Sequence, residues 1–203
     1  RGDRSPGEFY QLDMEMAFAN QEDVFAVLED VLPPIFAKYG KYNTASTAPF
    51  RRIPYLEAME KYGTDKPDLR IDLTVQDLTQ LLSGCGFPPF ENQRVKAVVV
   101  YGFEGSRKQI DKLCADVEVQ TGNKVYWFRY DEKGELVGRI SKFLQPIKDL
   151  VVEALTLAPG CLVGLSAGTL LAAQKTAGVF IKTVAPLCPA HFVKERYEFC
   201  WIV

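Results

Sequence analysis

Four side chains near the start of the chain have types and spacing that could do chemistry. In GEFYQLDMEMAF (7–18), Phe9, Gln11, Asp13 and Glu15 occupy every second position, and Tyr10, Leu12, Met14 and Met16 fill the places between. A period of two is that of a strand, because successive side chains point to opposite faces. The run therefore predicts a strand over residues 8–18. One face is apolar and suited to a core. The other carries a ring, an amide and two acids. Two carboxylates on that face would sit about 6–7 Å apart, given a rise of about 3.3 Å per residue. Buried without partners they would be costly. The face meets either water on an open sheet or a cationic or metal-bearing ligand.

The elements that must position this face can be read from capping and periodicity. Asn20, with Asp23 three residues on, forms a helix N-cap signal, and Val24, Val27, Leu28, Val31 and Leu32 follow at helical spacing. Pro33-Pro34 predicts an end or kink there, because proline lacks the N–H and clashes with the preceding turn. Pro34 can open a further short turn ending at Gly40. PFRRIPYLEAMEKYG predicts a short strand and a helix with Pro54 near its first turn and Gly63 just past its end. TDKPDLR is a charged loop around Pro67, followed by a short helical stretch near 76–82 and a Gly/Pro loop. Then VKAVVVY predicts a buried strand, Ser106 caps a helix running to Gly122, and KVYWFRY and ELVGRI flank the hairpin signal DEKG. A helix near 146–157, a strand in CLVGLSAG and a helix ending at Gly178 complete the interior. The final YEFCWIV is apolar enough for a strand buried on both faces. Mixed strands and helices with a hairpin give an α+β fold class. The polar start at Arg1 and the abrupt last strand predict cuts through a larger protein.

Composition narrows the function classes. Of 203 residues 47% are hydrophobic and 25% charged, with a net charge of −2. Neither half is a basic slab, so avid, nonspecific nucleic-acid binding is not expected; a local RNA contact stays open. The five cysteines are widely spaced, without a CxxC pair. They predict reduced thiols in a cytosolic protein, at the wrong spacing for zinc. The single histidine, His191, lies beside Pro189 and is expected to be a solvated loop residue. No apolar run reaches the about 18 residues that cross a bilayer, so no membrane partner is expected.

RGDRSPGEFYQLDMEMAF resembles motif 2 of the class II aminoacyl-tRNA synthetases, and within them the aspartyl-tRNA synthetases of bacterial type. RIPYLEAMEKYGTDKPDLR (52–70) is similar to the segment leading into that family's large insertion. SRKQIDKL and GRISKFL resemble stretches of the insertion, the GAD domain, and YEFCWIV resembles the strand that returns to the catalytic domain. The resemblance implies a partial class II catalytic domain, antiparallel in its sheet, from residues 1–71 and 196–203. It implies an inserted α+β GAD-like domain from 72–195.

It also implies a function: an aspartate–tRNA ligase that activates aspartate with ATP and Mg2+ and passes it to tRNA, as a cytoplasmic homodimer. The carboxylate of Asp13 would face the substrate ammonium, with Gln11 beside it. Phe9 would stack on adenine, and Glu15 would orient its neighbours or lie near a metal. Arg1 and Arg4 would meet the tRNA acceptor end. Ser5 stands at the ATP contact where many relatives carry a glutamine. Motif 1, motif 3, the α-phosphate arginine, the side-chain clamp and the anticodon-binding domain lie outside these 203 residues, so the isolated chain is expected to be inactive. The other class of reading is a noncatalytic scaffold or tRNA-contact module centred on the insertion.

Further signals are weaker. Asp65, Lys66, Asp68 and Arg70 fit a solvated loop or a hinge network. Ser106-Arg107-Lys108 fits an ordinary cap with surface charges better than a phosphate site. Lys142 reads as a snorkelling lysine rather than an RNA anchor. Among Tyr126, Trp127, Phe128 and Tyr130 at least half must be core rather than base-stacking.

Overall fold

The computed structural model describes residues 7–203. The first regular element, α1 (Gln21–Tyr39), starts where the sequence says: the Asn20 side chain accepts from the N–H groups of Glu22 and Asp23, and the Asp23 carboxylate accepts from the Asn20 N–H. It does not break at Pro33-Pro34 but runs on to Gly40. Tertiary anchors on both sides of the prolines offset the two missing N–H groups. Phe25 stacks on Trp201 at 4.1 Å, and Phe36 packs edge-on against Tyr197 and Phe199 at 4.8 and 5.0 Å.

Next come β1 (Arg51–Ile53) and α2 (Tyr55–Tyr62), the latter ending in Gly63 at φ +67°, a left-handed cap that glycine adopts without strain. After the loop around Pro67 follow β2 (Val75–Asp77) and a single turn, α3 (Thr79–Leu82). The helical stretch expected near 76–82 thus starts later, at Thr79, because residues 75–77 pair with the next strand. That strand is β3 (Arg94–Val100), and α4 (Arg107–Thr121), β4 (Val125–Tyr130) and β5 (Leu136–Val137) succeed it. Then come α5 (Ser141–Leu144), a 3-10 turn at Pro146 and α6 (Lys148–Ala154), a shorter helix than the one expected over 146–157. Finally β6 (Cys161–Gly168), α7 (Leu170–Val184) and β7 (Cys200–Ile202) close the order.

Five strands form one antiparallel sheet in the order β2-β3-β6-β4-β5. Its middle is buried on both faces. Val98, Val100 and Leu162 face α4 and α7 through Ile110, Val117, Phe180 and Ile181. Val95, Ala97, Val99, Val163 and Leu165 face the opposite layer of Leu82, Phe90, Leu144 and Val151. The fold class is the mixed helix-and-sheet arrangement expected.

The second sheet is small: β1 and β7 pair in parallel, with Ile53 in register with Ile202. The last strand is shorter than expected and only half-buried. The chain passes between the two sheets twice, side by side. Ile71 bridges Phe192, and the Val193 N–H donates to the Arg70 carbonyl at 3.0 Å.

The strand expected over 8–18 is absent. Gly7 to Ala19 is irregular, and Phe9, Tyr10, Leu12, Met14 and Met16 are all exposed. A strand exists through its ladder hydrogen bonds, and among the described residues no other strand lies beside this one to supply them.

Candidate functional site

The arm that holds the predicted site leaves the N-terminus of α1 through a turn at Phe18, where φ is +55°. Gln11 Nε2 donates to Asp13 Oδ1 at 2.5 Å, so two of the predicted residues meet. Phe9 keeps 69% of its surface exposed. Glu15 lies further along the arm, and among the described residues no three His, Cys, Asp or Glu side chains gather as a metal cluster. The Phe9 ring is open to solvent, and Glu15 is a single carboxylate that belongs to no such group among the described residues. Arg1, Arg4 and Ser5 lie outside the described residues.

What fixes the base of the arm is the face of α1 that packs on the small sheet. Glu29 Oε1 accepts from the Phe50 N–H at 3.0 Å and from Trp201 Nε1 at 2.7 Å. Arg52 forks onto Glu22, donating through Nη1 at 2.7 Å and again through Nη2, and its guanidinium lies 5.2 Å from the Phe25 ring. The hydrogen bonds from Arg52 hold the Glu22 carboxyl below its usual range. The sequence reading passed over these residues. Their signal was there: Tyr197, Phe199 and Trp201 alternate on one strand face, and Phe25 and Phe36 sit three helical turns apart.

The charged loop is an organised crossing. Arg70 holds Asp68 through Nε at 2.8 Å and Nη2 at 2.7 Å, and its guanidinium lies 5.1 Å from the Phe192 ring on the returning segment. Hydrogen bonding to Arg70 keeps the Asp68 carboxyl low. Asp65 and Lys66 are a loose surface pair at 3.6 Å. His191 is not solvated. Its side chain is 11% exposed, Nδ1 lies 2.6 Å from Asp72 Oδ1, and Nε2 accepts from the Tyr101 N–H at 3.0 Å. The loop is pinned because it is the return path of the chain, a long-range relation invisible in its local sequence.

Beside the crossing lies a buried lysine. Lys96, fully buried, donates to Glu60 Oε1 and to Asp77 Oδ2 at 2.8 Å, while Gln174 Nε2 donates to Glu60 Oε2 at 2.8 Å. This network ties α2 to β2, β3 and α7. Partial burial pushes the Asp77 carboxyl up, but the hydrogen bonds from Lys96 and Thr79 outweigh it and hold the group at about 2. A depressed folded-state value gives stability that is present above the unfolded value near 3.9 and is lost as pH falls. Urea midpoints measured from pH 6 to pH 2 should therefore drop between about pH 4 and pH 2. Asp77→Asn should remove of order 1 kcal/mol of that drop, after allowing for water screening of a carboxylate this exposed. An unchanged acid slope in the variant would refute the assignment.

The remaining predicted residues behave as structure. Ser106 caps α4, accepting from the Gln109 N–H at 3.4 Å while Gln109 Oε1 accepts from the Ser106 N–H at 2.7 Å. Lys142 lies 4.8 Å from the Phe143 ring. Trp127 and Phe128 are core, with Trp127 Nε1 donating to Asp111 at 3.0 Å. Tyr126 packs on Phe87 and Phe90. Burial pushes the Cys114 thiol up to about 12, and all five cysteines are free.

The family profile described as tRNA synthetases class II (D, K and N) matches residues 1–203. The chain belongs to this family. Its relatives include the aspartate–tRNA ligase of Streptomyces coelicolor, 41% identical over 206 residues, and that of Streptomyces griseus, 42% identical over 207. The aspartate–tRNA(Asp/Asn) ligase of Rickettsia bellii is 37% identical over 211 residues. Each alignment covers 100% of this chain but only 34–35% of the relative. This class II synthetase segment thus spans about a third of the length of the curated relatives it matches. Among the described residues no helix is long and apolar enough to cross a membrane.

Proposed function

We propose that the chain is part of an aspartate–tRNA ligase, which activates aspartate with ATP and Mg2+ and transfers it to tRNA in the cytoplasm as a homodimer. The observation that carries this reading is the alignment of all its residues with proteins of that name. Residues 1–71 and 196–203 would be part of the catalytic domain, and 72–195 the inserted GAD-like domain. In support, the five-stranded sheet and both its cores lie within 72–195, apart from Ile71 at the crossing. The two passages of the chain into and out of that stretch run side by side.

Within the catalytic part, Asp13 would accept the ammonium of aspartate in a charge-assisted hydrogen bond. The amide of Gln11, already on Asp13 Oδ1, would fix the carboxylate and leave Oδ2 for the substrate. Phe9 would face adenine, Ser5 the ATP, and Arg1 and Arg4 the acceptor end of tRNA. ATP would supply the leaving group that makes the aspartyl carboxyl reactive.

The test is ATP–pyrophosphate exchange with a panel of amino acids, on the gene product that carries this chain and on the 203 residues alone. Exchange with aspartate only, in the longer protein only, is expected. Asp13→Asn should lower kcat/KM for aspartate roughly 10- to 100-fold, the worth of a hydrogen bond to a charged group. No exchange from the longer protein with any amino acid would overturn the ligase reading. It would leave 72–195 as a noncatalytic scaffold or tRNA-contact module.

A further inference from the structure

A cleft of about 550 Å³ lies where the end of α2 meets α7. Gly63 and Gly178 press their backbones together at its floor, and Thr64, Gln120, Lys175 and Lys182 stand around it. No carboxylate lines it. Both lysines are exposed, and neither forms an ion pair among the described residues. The carboxylate that feels Lys182, Asp68, is already gripped at two atoms by Arg70. Lys182 also complements the C-terminal end of α7, but Lys175, in the middle of the helix, has no such role.

The hydroxyls around the cleft divide in two. Thr121 and Thr176 donate to the carbonyls of Val117 and Ala172 at 2.8 and 2.7 Å, so their protons are used. Thr64 and Thr169 instead accept, from the N–H groups of Lys66 and Ala172 at 3.1 and 3.3 Å. Their own hydroxyl protons have no acceptor among the described residues and can be donated into the cleft. The result is a set of donors and cations with no built-in anion.

Spacing says what kind of anion fits. Lys175 and Lys182 are seven residues apart, so they share one face of α7 and stand about 10.5 Å apart along its axis. An open cleft with cations at that interval suits phosphates in series rather than a single enclosed ion. We infer that this cleft binds the phosphate backbone of an RNA strand through Lys175 and Lys182, and that the bound strand bridges α2 and α7. The RNA would be tRNA, a step that rests on the ligase reading. Free polyphosphate offers the same chemistry, and the test separates the two.

The experiment measures binding of a fluorescein-labelled tRNA transcript, and separately of inorganic tripolyphosphate, to the 203-residue chain over a salt series. For the wild type, tRNA binding is expected to weaken linearly in log Kd with log salt. For Lys175→Gln/Lys182→Gln, Kd should rise roughly five- to tenfold, and the salt slope should fall by about 1.5, since each lost phosphate contact removes about 0.7–0.9 from it. Lys133→Gln, in the β4–β5 turn, should change neither. Loss of tripolyphosphate binding in the double variant with tRNA binding untouched would overturn the RNA assignment in favour of a free polyanion. Equal tRNA binding and equal slopes in all three proteins, with or without tripolyphosphate binding, would overturn the proposal. Failure of aspartate-dependent pyrophosphate exchange is a different result: it removes the ligase reading while leaving this binding measurement to stand or fall alone.

Discussion

Glu60→Gln combined with Asp77→Asn should destabilise the protein by about 3–5 kcal/mol in urea unfolding at pH 7, and Lys96→Met should cost far less. The asymmetry follows from burial. The Lys96 side chain is fully buried, whereas those of Glu60 and Asp77 are 51% and 41% exposed. Neutralising both acids leaves a cation in the interior with no counter-charge, and such an uncompensated charge costs about 3–5 kcal/mol. Removing the lysine leaves two carboxylates that water already reaches, with a flexible apolar side chain of similar length in place of the ammonium. Exchange of a buried ion pair for apolar groups is often nearly neutral. The triple variant should therefore recover most of what the double variant loses, a coupling that a mutant cycle measures directly. Equal, small losses from the acid pair and from the lysine would show that the network adds no more than a surface ion pair does. Because the network joins α2 to β2, β3 and α7, the double variant should also expose the 54–73 stretch to proteolysis before the five-stranded sheet opens.

Such a network was not legible in the sequence, and the reason is general to this chain. Local signals came through. The cap at Asn20, with Asp23 three residues on, and the cap at Ser106 are local features, and both helices begin there. Gly63 and Gly122 close α2 and α4 at positive φ, as their places in the sequence implied. The apolar run of β3 and the turn before β5 likewise needed no partner to be recognised. What failed was decided by distant residues. The alternation over 8–18 is that of a strand, but alternation supplies no ladder, and the arm stays irregular. Pro33-Pro34 should stop a helix in isolation, yet the aromatic contacts of Phe25 and Phe36 with the last strand carry α1 through. His191 has an unremarkable local context and is held by Asp72 and Tyr101, 119 and 90 residues away. The candidate site divides in the same way. Gln11 and Asp13 are two residues apart and find each other, whereas the groups that would complete a site around Phe9 and Glu15 are not local to them.

Gly178 combines both lessons and leads to the second large effect. As glycine in TLLAAQKTAG it signals a helix end, but α7 runs six residues past it to Val184. A Cβ at Gly178 would lie 2.7 Å from the carbonyl oxygens of both Gly63 and Tyr62, so the missing side chain is what lets the end of α2 rest on α7. Gly178→Ala should gain about 1 kcal/mol of intrinsic helix propensity. It should lose more than that, because backbone atoms on the facing helix end cannot rotate away as a flexible side chain would. Overpacking of this kind costs typically about 1–3 kcal/mol and at times more. A net destabilisation of about 1–2 kcal/mol by urea unfolding is expected, with altered amide exchange concentrated at α2 and the crossing. Gly122→Ala is the matched control: its φ is +69° but no atom lies within 4 Å of the added Cβ, so it should show only the cost of the left-handed backbone, about 1 kcal/mol, and no effect at α2. Stabilisation by Gly178→Ala would mean that propensity outweighs the contact and that α2 is free to move off α7. The cleft between them would then not be a fixed surface, and Lys175 and Lys182 would have lost the rigid floor against which Thr64 is placed.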